Sequence, residues 1–473
     1  MKEEKVYNKW LILGVLVMMP FVASLDSSIV NVALPSMAKD LATSTSSIAW
    51  VITSYLIAIS ATIIIFGRIS DIIGKSVVFN FGVALFTIGS LLCGISSSVQ
   101  FLILSRVIQG IGAAGAMATN QAIITTVFPP HQRGRALGLS GSFVAIGGMV
   151  GAPLGGIIVS NLSWHYIFLI NIPIGVIASI LAFKILPKAK EHSKEKIDTK
   201  GAVLFAVFVV SLFTGMINGQ EIGYNHLSII LAFIIAIGSF ILFLKVEKNT
   251  EKPLLELSLF KNGLFSLSLF CAFISFASIS CLNIIMPFYF QGTLSFSPAK
   301  AGIIMMIAPI ILSFTAPLSG YISDKIGSEL ISFLGLLLMS IGLLSMAVLN
   351  QNSVLTLIIV LIVIVAAGNA LFQSPNTSMI MSLVPREKLG ITGSMNALTR
   401  NLGLVFGTSF STTVLYNAMS LKVGHRVSDY TDGNDAVFIF GMKWVYIFTG
   451  CICLIGVILS GLRLYKMKKI SKK

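Results

Sequence analysis

Fourteen times along this chain about 20 residues pass with almost no charge, and short polar connections divide one run from the next. The runs begin near Trp10, Ser47, Val77, Val99, Arg135, Trp164, Gly201, Leu227, Leu264, Ala299, Ile331, Leu355, Leu389 and Met442. Each is long enough, at a rise of about 1.5 Å per residue, to cross the hydrocarbon layer of a bilayer. Unpaired N–H and C=O groups cannot stay in hydrocarbon, so continuous apolar runs of this length must be helices rather than barrel strands. Composition agrees, since 55% hydrophobic against 11% charged residues is more apolar surface than a soluble fold of 473 residues hides. The expected fold class is an all-α membrane protein with 14 transmembrane helices.

An even number of crossings puts both termini on one side, and the basic residues choose the side. Of 33 lysines and arginines, only Lys39, Lys300, Lys422, Arg426 and Lys443 fall on one face, with Arg106 and Arg400 inside runs. The rest, Arg463 included, belong to the two tails and the even-numbered connections, so both tails are expected to be cytoplasmic. Trp10, Trp50, Trp164 and Trp444 fall at run ends, where an interfacial belt would place them. The net charge of +15 is thus read as orientation and attraction to anionic lipid rather than nucleic-acid binding. Lys184 to Lys200 is the densest basic stretch and is expected to be a solvated linker. The first run exceeds an ordinary signal-peptide core and is expected to be retained. Cys93, Cys271, Cys281, Cys451 and Cys453 all lie in apolar runs and show neither a disulfide framework nor a zinc spacing. With no HExxH and no nucleophile elbow, nothing points to an enzyme, a metal or a cofactor.

The sequence repeats itself. GRISDIIGKSVV from Gly67 and GYISDKIGSELI from Gly320 align without a gap, pairing Asp71 with Asp324 and Gly74 with Gly327. A second match pairs Gly112 with Gly368 and Asn120 with Asn376. Two six-helix bundles are therefore expected at 1–190 and 256–473, with a linker and two inserted helices in 191–255. Parallel repeats of this kind typify transporters that bind substrate near the bilayer midplane.

GRISDIIGKSVV resembles the loop between helices 2 and 3 of the major facilitator superfamily, and LILSRVIQGIGAA from Leu102 resembles its Arg-bearing helix 4 motif. LDSSIVNVALP from Leu25 is similar to the helix 1 motif of its drug:proton antiporters, and fourteen spans match that family's fourteen-helix branch. GGMVGAPLGG keeps Gly147, Gly151, Gly155 and Gly156 of the antiporter helix 5 motif, but Ala152 separates Gly151 from Pro153 where the family has a Gly-Pro pair. The resemblance implies multidrug efflux by proton antiport in a bacterial plasma membrane, with the proton as coupling ion. A monomer is expected, with small lipophilic substrates and membrane lipids as its partners.

Three groups of polar residues could carry transport. Asp26 lies nine residues before Pro35 and Arg106 seven residues into its run, at depths of about 13 and 10 Å. A membrane-embedded carboxylate is costly and is usually paired or functional. The pair is either a proton carrier with its tuning cation or a static brace between helices 1 and 4, and the resemblance favours proton coupling. Asp71, beside Gly67, Arg68, Gly74 and Lys75, can cap a helix N-terminus and pair with a base, which suits a gate; Asp324, with Tyr321 and Ser328 replacing the bases, should latch more weakly. Asn369, Gln373 and Asn376 share one helical face and either line a cavity or bond neighbouring helices. Asn31, Gln109, Asn120 and Arg400 join them as expected cavity residues, with Arg400 also suited to a conformational role. Phe270 and Phe273 are candidates for a soft apolar site.

Overall fold

The computed structural model describes residues 8–43, 45–187, 198–250, 253–296, 298–425, 427 and 435–471. The middle of the basic stretch expected as a solvated linker, 188–197, lies outside them. Among these residues fourteen long helices follow one another. They are α1 (Lys9–Asp40), α2 (Thr45–Ile73), α3 (Lys75–Gly94), α4 (Val99–Val127), α5 (Pro130–Asn161), α6 (Asn171–Ile185) and α7 (Thr199–Ile222). Then come α8 (Leu227–Asn249), α9 (Gly263–Phe288), α10 (Ile307–Ile326), α11 (Ser328–Met346), α12 (Leu355–Ser382), α13 (Leu389–Val423) and α14 (Asp435–Ser471). No strand occurs among the described residues.

Among the described residues, thirteen spans are long and apolar enough to cross a membrane. The fourteenth expected span is α13, whose 35 residues suffice but carry many Ser, Thr, Asn and Gly. Two spans are broken. A one-turn helix, Tyr166–Leu169, precedes α6, and a short helix, Pro298–Met305, precedes α10. Helix starts follow local chemistry: Asn8, Ser98 and Asn262 each accept first-turn N–H groups that have no intrahelical partner.

The chain divides into two compact units, Met1–Leu212 with Phe233–Leu259 and Met381–Leu398, and Phe213–Ala232 with Phe260–Ile380 and Thr399–Lys473. The first unit thus takes in most of the inserted pair α7 and α8 together with the start of α13. Its core includes Leu25, Ile29, Val51, Leu102, Ile167 and Phe168, all buried. The second is centred on Cys271, Ile285, Tyr289, Leu336, Met339, Leu343 and Tyr446.

The internal repeat is visible in the backbone. Gly74 and Gly327, the paired glycines before α3 and α11, have φ/ψ of 104/135° and 101/141°, a left-handed conformation that costs other residues strain. A methyl at Gly82 would overlap the backbone nitrogen of Ala116 on α4, and one at Gly335 would overlap that of Phe372 on α12. Each unit brings its paired helices equally close by the same device.

Candidate functional site

Asp26 on α1 and Arg106 on α4 are both wholly buried in the first unit. Arg106 Nη1 donates to Asp26 Oδ2 at 2.6 Å and to Gln109 Oε1 at 2.5 Å, and its Nε donates to the Val51 carbonyl at 3.0 Å. The other carboxylate oxygen, Oδ1, accepts from Gln109 Nε2 at 3.0 Å and from Asn171 Nδ2 at 2.8 Å. Gln109 also donates to Ser90 Oγ at 2.9 Å. The Arg106 guanidinium lies over the Tyr55 ring, 4.1 Å from its centroid. Five helices, α1, α2, α3, α4 and α6, therefore meet in one network around a single carboxylate. Sequence reasoning found Asp26 and Arg106 but missed Asn171, Ser90 and Tyr55. The break before α6 places Asn171 at a helix start, and the sequence held no signal for it beyond one amide in an apolar run.

Asp71, on the last turn of α2, has a side chain 4% exposed. Its Oδ1 and Oδ2 accept from the N–H groups of Gly390 and Ile391, each at 3.0 Å, so it caps the start of α13. Lys75 Nζ stands 3.3 Å from Oδ1. A side chain on Gly390 would collide with Ser70 and Asp71, and one on Gly67 with Ser394, so the two glycines allow this approach. Arg68 is half-buried nearby. Two bonds hold α13 further: Lys388 pairs with Glu256, and Asn396 Nδ2 donates to Gln121 Oε1 at 3.0 Å. Asp324, half-buried at the end of α10, belongs to the second unit.

Gly147, Gly151 and Gly155 of α5 face α1, where side chains would meet Phe21, Leu25, Ser28 and Ile29, whereas Gly156 has open space beside it. Pro153 is exposed within α5.

The expected cavity residues are dispersed, and four of them are buried against hydrogen-bond partners. Gln109 belongs to the Asp26 network. Asn120, 4% exposed, donates to the Leu16 carbonyl at 2.7 Å. Asn369, 6% exposed, accepts from Ser275 at 3.2 Å. Asn376, 1% exposed, donates to the Ser268 carbonyl at 3.1 Å and accepts from Arg463 at 2.8 Å. A buried amide must find partners inside the protein, and these four bond helix to helix. Gln373 and Arg400 are half-buried and Asn31 is exposed.

Arg463, assigned to the C-terminal tail on sequence, is instead wholly buried within α14. It donates to Ser268 Oγ at 3.0 Å, Asn376 Oδ1 at 2.8 Å and Ser460 Oγ at 3.0 Å. Trp164, expected at the interface, is 3% exposed and donates its indole N–H to Asp40 at 2.8 Å. In the second unit Phe270, Phe273, Phe406 and Phe410 form a row of rings with successive centroids 6.3, 5.3 and 5.9 Å apart. No group of metal-ligating side chains occurs among the described residues.

Repeated six-helix halves, buried membrane charge and an Asp-capped helix start define a multi-pass membrane transporter. The family model of the Major Facilitator Superfamily matches residues 16–408 and again 268–472, and the chain belongs to that superfamily. It is 35% identical to the riboflavin transporter RibZ of Clostridioides difficile, covering 98% of this chain and 99% of that one. With Multidrug resistance protein 3 of Bacillus subtilis it shares 31% identity, covering 89% of this chain and 82% of that one. The solved structure of the human organic anion transporter MFSD10 matches with a TM-score of 0.69 at 13% identity, over 96% of this chain and 99% of that one. The proton:xylose symporter XylE matches at 0.65 and 15%, over 95% and 94%. Both share the fold.

Proposed function

We propose that this transporter exports lipophilic cationic or neutral compounds in exchange for protons, and that Asp26 takes up and releases the proton. The observation that carries the reading is a wholly buried carboxylate held by Arg106, Gln109 and Asn171. Protonating Asp26 removes the anion that Arg106 faces and weakens charge-assisted bonds joining α1 to α4 and α6. Those contacts then have two arrangements, one for each protonation state, which is what coupling requires. Asp71 acts as a latch that holds the start of α13, both tails face the cytoplasm of a bacterial plasma membrane, and the protein works as a monomer. Proteoliposomes with an imposed pH gradient test the assignment. Wild type should move an ethidium-like cation against its gradient, and Asp26→Asn should not; pH-driven flux retained in Asp26→Asn would refute it.

A second reading, export or exchange of a specific planar metabolite such as a flavin, is favoured by the 35% identity to a riboflavin transporter over nearly both whole chains. Phe270 and Phe406, 49% and 37% exposed, offer flat faces on which such a ring system stacks. Riboflavin in the same liposomes separates the readings, since a drug exporter leaves it untransported.

A further inference from the structure

The inserted helices α7 and α8 have no counterpart in the repeat, yet the end of α8 carries one of the least exposed carboxylates among the described residues. Glu247 is 3% exposed, and its Oε1 and Oε2 accept the N–H groups of Leu254 and Leu255 at 3.2 and 2.8 Å. It therefore folds the linker after α8 back onto the helix it leaves. Asp198, which caps α7 by accepting from Gly201 N at 3.0 Å, lies on the other side. A methyl on Gly201 would stand 2.6 Å from both Asp198 Oδ2 and Glu247 Oε1, so the two oxygens are at most about 5.2 Å apart.

The next residue of the folded linker, Glu256, pairs with Lys388, which immediately precedes α13. Gly390 and Ile391, the residues Asp71 holds, follow at once. The connections form a chain within the first unit: Asp71 to α13, Lys388 to Glu256, and the linker that carries Glu256 to Glu247.

We propose that Glu247 is a positioning residue of the Asp71 latch, through which the inserted helix pair fixes the linker and sets how firmly α13 is held. This rests on reading Asp71 as a latch. The backbone bonds of Glu247 matter because they orient Glu256 toward Lys388.

Alkylation of a buried reporter measures the latch. Ser394, wholly buried and bonded to the Gly390 carbonyl, becomes the single cysteine of the full-length protein in liposomes. Glu247→Ala should raise its maleimide reaction rate at least about threefold. Glu247→Gln, which keeps one carbonyl acceptor but no charge, should give a smaller rise. Glu256→Ala, a change at a half-exposed position, should also raise it, and serves if Glu247→Ala does not fold. Asp71→Asn should label fast, and Glu247→Ala added to it should label no faster. Rates that multiply in the double variant would overturn the proposal, because Glu247 would then act apart from the latch. A fast Asp71→Asn with Glu247→Ala and Glu256→Ala at the parent rate would sink the clasp alone. Parent-like labelling of Asp71→Asn would sink the latch reading and the clasp with it.

Discussion

Asp26 can stay ionised while wholly buried because three side chains replace its hydration, and Arg106 is the only cation among them. Asp26→Asn should strand that guanidinium, destabilising the protein by about 3–5 kcal/mol, whereas Asp26→Asn with Arg106→Gln should recover most of the loss. Thermal unfolding in detergent measures the recovery, and liposome flux should stay at background in both variants. A double variant that transports would make the pair a static brace. Arg463 gives the opposite expectation. Its planar fork serves three acceptors, of which a lysine reaches fewer, so Arg463→Lys should cost about 1–3 kcal/mol and leave pH-driven flux intact. A lowered melting temperature with normal transport is the expected result. The two arginines also mark what the sequence could tell. Arg106 stands out because an apolar run continues on both sides of it. Arg463 is followed by Lys466, Lys468 and Lys469, so it reads as the first charge of a basic tail, and its partners Ser268 and Asn376 lie 195 and 87 residues away. Helical spacing showed that Asn369, Gln373 and Asn376 share a face; it carried no information on what that face meets.

At the scale of helices, apolar length and glycine placement did most of the specifying. Thirteen spans were legible because hydrocarbon leaves a long apolar segment one backbone solution, and the breaks before α6 and α10 were not, because they depend on tertiary packing. The contact of α3 with α4 depends on Gly82 facing Ala116, and that of α11 with α12 on Gly335 facing Phe372. Gly82→Val and Gly335→Val should each cost about 1–3 kcal/mol, by equal amounts if the repeats pack alike. Gly156→Ala should instead gain about 0.5–1 kcal/mol from helix propensity, since open space lies beside it although it belongs to the antiporter motif. Melting temperatures of the three purified variants check this. A Gly156→Ala protein that is stable but inactive would show that the glycine serves a moving contact.

For the molecule as a whole, the decisive quantity is the charge carried per cycle. If Asp26 is the one exchanged-proton site, a monocation leaves as one proton enters and no net charge crosses. A neutral substrate leaves with nothing to balance the incoming proton, so each cycle moves one charge inward and gains about 2.3 kcal/mol per 100 mV, enough for roughly a fiftyfold gradient. Voltage therefore separates cationic from neutral substrates. In proteoliposomes clamped with potassium and valinomycin at fixed pH on both sides, imposing an inside-negative potential should leave ethidium-like export unchanged. The same potential should drive riboflavin, a neutral solute, out of the lumen if it is a substrate. The second buried carboxylate enters the same measurement. Glu247 sits at the end of α8, held by two backbone N–H groups, and a latch residue there carries no proton across. Voltage-driven export of a monocation would mean that more than one proton enters per cycle, and would point to Glu247 or Asp71 as a second carrier rather than a clasp.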